Sequence, residues 1–141
     1  MIQAFRAIPA DLREWLTWIQ GIETQGTFTG TLTGYATPPT GELVWTKLGR
    51  RVSLYAPETI TGTSNATSLT LTGVPASIMP ATAKHGTTIV VDNNQAVNAM
   101  FNALGTTITF YMGVPYVASG FTNPGVKGLY AGAMLTWLLD T

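Results

Sequence analysis

The chain is 141 residues long, with seven Lys and Arg against seven Asp and Glu and only 10% charged residues; that length suits one domain, and that balance leaves no basic face to neutralise a phosphate backbone. Hydrophobic residues reach 45%, but no run approaches the roughly 18 to 20 apolar residues that span a bilayer, and the first residues lack the basic and apolar regions of a signal peptide. Nucleic acid and membrane insertion are therefore excluded as expectations, and the absence of Cys removes disulfides, thiolate nucleophiles and sulfur-ligated metals.

Residues 1–23 differ from everything after them. From Pro9 to Gln20 a proline suited to a first helical turn is followed by Asp11 and Glu14 near the positive end of the helix dipole, and Gly21 supplies a stop. The pattern predicts a short N-terminal α-helix. Its apolar positions Phe5, Ile8, Leu12, Trp15, Ile19 and Ile22 are spaced 3, 4, 3, 4 and 3 apart, the spacing of a coiled-coil seam over barely two heptads. Such a stripe either packs on the chain's own sheet or meets the same stripe in other copies. Leu16 and Trp18 lie off it, so the helix touches more than one neighbour. A chain with so few repelling charges is poorly protected against self-association, which favours an oligomer.

After Gly26 the period changes to two. With 24 Thr and 15 Gly in the chain, the composition is that of strands and turns. Strands are predicted at 27–35, 43–47, 52–55, 59–63, 68–72, 87–91, 95–101, 106–112 and 131–139. Between them, Pro38-Pro39 marks a loop, Leu48-Gly49-Arg50-Arg51 a hairpin, and Asp92-Asn93-Asn94 a turn whose residues tolerate positive φ. Short strands at about ten-residue spacing indicate a mainly β, antiparallel β-sandwich of jelly-roll type over residues 26–141, carried on the helical segment 1–23.

Catalytic chemistry finds little footing. His85, the single histidine, stands before Gly86 in an expected loop without a second ligand type nearby. The acids are scattered, and no pair is spaced for glycoside hydrolysis. There is no Gly-x-Ser-x-Gly elbow, dinucleotide fingerprint or phosphate loop. The expectation is a non-enzyme with no cofactor and no metal. Aromatic residues in or beside loops, Tyr35, Trp45, Tyr116, Phe121 and Tyr130, offer flat rings for stacking on sugars or anchoring an interface. Trp45, Tyr116, Phe121 and Tyr130 are the candidates for contact with a glycan.

Four stretches carry a family resemblance: Gly26-Thr27-Phe28-Thr29-Gly30-Thr31-Leu32-Thr33-Gly34; Trp45-Thr46-Lys47-Leu48-Gly49-Arg50-Arg51-Val52-Ser53-Leu54; Gly62-Thr63-Ser64-Asn65-Ala66-Thr67-Ser68-Leu69-Thr70-Leu71-Thr72-Gly73-Val74-Pro75; and Ser119-Gly120-Phe121-Thr122-Asn123-Pro124-Gly125-Val126-Lys127-Gly128-Leu129. Together with the leader Ile8-Pro9-Ala10-Asp11-Leu12-Arg13-Glu14-Trp15, they resemble a β-sandwich domain of tailed-bacteriophage fibre and virion proteins. The resemblance covers nearly the whole chain, through turn and strand patterns. It implies a homotrimer with a helical stem and a β head, made in the host cytoplasm and displayed on the virion. One role it implies is a surface fibre or tip-like module that contacts a host surface polysaccharide; the alternative is a capsid decoration protein that stabilises the phage head. Either role brings other virion proteins as partners.

Overall fold

The computed structural model describes Leu12, residues 23–112 and residues 120–141. Ten strands follow one another: β1 (Glu23–Thr33), β2 (Thr40–Leu48), β3 (Arg51–Tyr55), β4 (Ile60–Thr63), β5 (Leu69–Thr72), β6 (Lys84–Asp92), β7 (Gln95–Leu104), β8 (Thr107–Tyr111), β9 (Val126–Leu129) and β10 (Met134–Leu138). One 3-10 turn, Ala76–Ile78, separates β5 from β6. The turns obey the predicted chemistry. Gly49 has φ 59° in the β2–β3 hairpin, and Asn93 and Asn94 have φ 49° and 65° between β6 and β7, the positive values that a two-residue hairpin turn needs.

The mainly β, antiparallel character expected from the sequence is what the structure has, but the described strands form one sheet rather than the two of a sandwich. Their order is β10-β3-β2-β1-β5-β8-β7-β6-β9-β4. Continuity comes from β1, which pairs with β2 from Glu23↔Leu48 to Thr31↔Thr40 and with β5 from Thr31↔Thr72 to Thr33↔Thr70. A strand eleven residues long thus serves both halves of the sheet, and the pairing never breaks. The sheet instead curls. β10, at one edge, lies against β6, and Trp137 meets Phe101 edge to face with ring centroids 6.2 Å apart. At the other edge, Ile60 of β4 sits on Gly41 of β2, where a Cβ would overlap its side chain.

The core fills the inside of the curl. Across the strands, Leu32, Leu71, Ile108 and Ala103 make one register row and Leu69, Phe110 and Phe101 another, all buried. Burying side chains of this size contributes about 1.5 to 3 kcal/mol each. The Phe101 ring closes over Gly86 of β6, which has no side chain to displace it. Trp137 Nε1 donates to the Ile78 carbonyl at 2.8 Å, so the indole's polar atom is satisfied inside.

The differences from the sequence reading concern strands, and β2, β6 and β7 run beyond their predicted bounds. β9 is absent from the predicted strands, and the segment 131–133, predicted as strand, is a loop before β10. The pairing of β1 also begins at Glu23, ahead of the expected head boundary at residue 26. Of the proposed seam, Phe5, Ile8, Trp15, Ile19 and Ile22 lie outside the described residues, as does the helix they would form; Leu12 is 42% exposed.

Candidate functional site

The connection from β3 to β4 carries the chain from one half of the sheet to the far edge of the other. It is pinned by the loop between β9 and β10. Ala56 N donates to the Ala133 carbonyl at 3.1 Å, Gly132 N donates to the Ala56 carbonyl at 2.7 Å, and Ala131 N donates to Thr59 Oγ1 at 3.1 Å. The pairing Ile60↔Leu129 continues the same contact. Two loops distant in sequence are thereby held side by side, with Tyr130 projecting from the second and 45% exposed.

Where this connection meets the start of β2, there is a pocket of about 450 Å³. Thr40, Gly41 and Glu42 form one wall, and Pro57, Glu58, Thr59 and Ile60 the other. Its depth depends on Gly41, because Ile60 occupies the space a larger residue would fill. Glu42 and Glu58 are both exposed. The ion pair found among the described residues, Lys84 Nζ to Asp140 Oδ1 at 3.0 Å, involves neither of them. Two carboxylates, two threonine hydroxyls and a prolyl ring thus face a cleft beside an exposed tyrosine. Such a set can accept hydrogen bonds from a polyhydroxylated ligand, and charge-assisted bonds to carboxylates are the stronger kind.

Of the four residues expected to touch a glycan, Tyr130 presents an exposed ring next to this pocket. Trp45 is half-buried at mid-β2, turned to the inner side and packed across Gly26, whose added Cβ would lie 2.8 Å from the indole. Phe121 is 2% exposed and belongs to the core. Tyr116 lies outside the described residues. The three described rings are thus spread over the inner sheet, the core and one loop, and do not gather into a single stacking platform. Tyr35 is also buried, and its hydroxyl donates to the Lys127 carbonyl at 2.8 Å. His85 is on β6, exposed and opposite Asn102, not in a loop. Among the described residues no three His, Asp or Glu side chains stand together in a way that would hold a metal ion.

No protein-family model matches the chain, and no curated protein matches it. Among solved structures, the chain is similar to a reovirus attachment protein, sigma1, crystallised with alpha-2,3-sialyllactose. The identity is 12% and the TM-score 0.46, over 85% of this chain and 68% of that one.

A second polar centre lies inside. Lys127 of β9 has no exposed surface; its Nζ donates to the carbonyls of Ala66 and Ser68, both at 2.5 Å. The ammonium stands 5.2 Å from the Tyr35 ring centroid and 5.9 Å from that of Phe121, a cation between two π-faces. Burial holds the Lys127 pKa below the ordinary lysine value, while the negative charge of Asp92 pulls it the other way. Asp92 is itself fixed by Thr122, whose N and Oγ1 donate to it at 2.8 and 2.9 Å. Sequence reasoning misses both centres. A lone lysine in a Gly-rich stretch reads as a solvated loop, and Glu42 and Glu58 are brought together only by the curl.

Proposed function

We propose that this chain is the head of a homotrimeric virion surface module that contacts a neutral polysaccharide of the host envelope through the Glu42–Glu58 pocket and Tyr130. The observation that carries this reading is the pocket itself: acceptors and hydroxyls on its walls, and Tyr130, 45% exposed, in the loop that Ala131 N ties to Thr59 Oγ1. An aromatic body with a polar tip suits the apolar face and hydroxyl rim of a sugar. The two carboxylates disfavour an anionic sugar, because like charges repel. Both acids are exposed on the walls of an open cleft, which supports binding without cleavage. The resemblance of the turns and strands to tailed-bacteriophage virion proteins supports the location. The low charge density and the exposed Leu12 of the proposed seam support assembly through residues 1–23.

The test is a binding measurement of the purified chain against host-envelope polysaccharides, neutral and acidic, with empty capsids as a separate arm. Neutral glycans are expected to bind and be recovered intact. Tyr130→Ala and Glu58→Gln should each weaken binding about tenfold, the scale of one stacking or charge-assisted contact. Binding that survives both substitutions, or that occurs only to capsids, refutes the glycan reading.

A further inference from the structure

The pocket is fastened at a second place besides Ile60 on Gly41. Its first wall, Thr40 to Glu42, follows directly on Pro39, and its second, Pro57 to Ile60, ends two residues ahead of Gly62 in β4. The two approaches meet at Gly62. A Cβ there would lie 3.1 Å from Cδ1 of Tyr35 and 3.4 Å from Cγ of Pro39, so both rings rest on bare backbone. Tyr35 also bridges Ser64, just past β4, and the Pro39 carbonyl accepts from Leu32 N at 3.0 Å. A shift of either ring against Gly62 is thus a shift of one wall against the other.

Lys127 is the register partner of Gly62. Its ammonium stands 5.2 Å from the Tyr35 ring centroid, and the Tyr35 hydroxyl donates back to the Lys127 carbonyl at 2.8 Å. The ammonium is itself tied to the carbonyls of Ala66 and Ser68. It has room because residue 34 is glycine, at φ 101°, where a Cβ would come within 2.8 Å of Nζ. Burying a charge costs free energy that an apolar side chain of the same size would not. What the ammonium adds is direction, on two carbonyls and on a ring.

We infer that Lys127 and Tyr35 are positioning residues for the pocket: the buried ammonium fixes the Tyr35 ring against Gly62 and so holds the Glu42 wall and the Glu58 wall at their spacing. The inference rests on the glycan reading for its ligand, but the spacing is measurable without one.

Because the chain has no cysteine, spin labels on Glu42→Cys/Glu58→Cys, both exposed positions, report the distance between the walls. In the full chain that distance should be single and narrow. Lys127→Met keeps the length and removes the ammonium, so it should lengthen and broaden the distance, and Tyr35→Leu should do the same. Tyr35→Phe restores the ring over Gly62 and should recover the native distance. In unlabelled chains Lys127→Met and Tyr35→Leu should each bind neutral glycan about tenfold more weakly, the scale of one buried cation–π contact. Ile108→Ala separates positioning from stability. It empties a core site in β8, three strands from β2 and four from β4, and should lower the urea midpoint with the label distance unmoved. A native distance in folded Lys127→Met or Tyr35→Leu overturns the inference, as does an equal shift in Ile108→Ala or a shifted distance with unchanged glycan affinity. Should Lys127→Met misfold, Tyr35→Leu decides alone. If the native chain binds no glycan and the distance still shifts, the positioning stands and the glycan reading falls.

Discussion

Lys127 and Tyr35 form a buried pair whose chemistry is visible residue by residue. The ammonium has exchanged water for two carbonyls and two ring faces, and the tyrosine hydroxyl for the Lys127 carbonyl. A carbonyl left without its donor in such a place costs about 1 to 3 kcal/mol. Lys127→Met keeps the volume and abandons two carbonyls, so it should destabilise the chain by about 2 to 4 kcal/mol, read as a lower urea midpoint at unchanged slope. An unchanged midpoint would mean that water enters and replaces the ammonium. Tyr35 gives a pH signature. Burial pushes its pKa well above the ordinary tyrosine value of 10.0, so above pH 10 the unfolded chain releases a proton that the folded chain keeps, and stability falls as pH rises. The slope approaches about 1.4 kcal/mol per pH unit. Lys127, with its folded pKa lowered, acts oppositely, adding stability as pH rises toward 10.5 and nothing beyond. Denaturant titrations above pH 10.5 should therefore show the falling slope in the native chain and lose it in Tyr35→Phe; a slope common to both assigns the alkaline sensitivity elsewhere.

Among the elements, legibility follows the strength of the local pattern. The hairpins at Gly49 and at Asn93-Asn94 are readable because positive φ demands those residue types. Strands with strict alternation, such as Val52-Ser53-Leu54 in β3, declare their faces, with Val52 and Leu54 buried. β9 does not, since Val126-Lys127-Gly128-Leu129 carries a charge and a glycine where a strand is usually β-branched. Both serve tertiary contacts invisible in one stretch of sequence. Lys127 reaches carbonyls about sixty positions away, and Gly128, at φ 155°, lies so close to the Ile60 carbonyl of β4 that a Cβ would collide with it. The single sheet is hidden for a related reason. Ten short strands suit a sandwich or a curled sheet equally, and the choice lies in β1 pairing twice. The carboxylate pocket shares that origin, because Glu42 and Glu58 meet only once β4 has crossed to the far edge.

At the scale of the whole molecule, the curl and the pocket are one feature, and Gly41 is where they are fastened. β4 and β10 are the two ends of the sheet; β10 is held by Trp137 against Phe101 and by Asp140, which accepts from Ala81 N and Thr82 N at 2.7 and 3.1 Å. β4 is held by Ile60 on the bare backbone of Gly41 and by its pairing with β9. Gly41→Val inserts a branched side chain into the space of the Ile60 δ-methyl, and overpacking of this kind typically costs about 1 to 3 kcal/mol. The far edge would then lift from β2, widening the gap between Glu42 and Glu58, while the β1–β2 pairing at Gly30↔Gly41 tolerates valine in its backbone. The variant is expected to lower the melting temperature, keep its β circular dichroism and lose glycan binding more than its stability loss explains. Thr46→Val, on the exposed face of the same strand, controls for strand propensity and should stay within about 0.5 kcal/mol of the native chain. If Gly41→Val binds glycan as the native chain does, the pocket walls do not need the closure at Ile60, and recognition rests on Tyr130 and the loops alone.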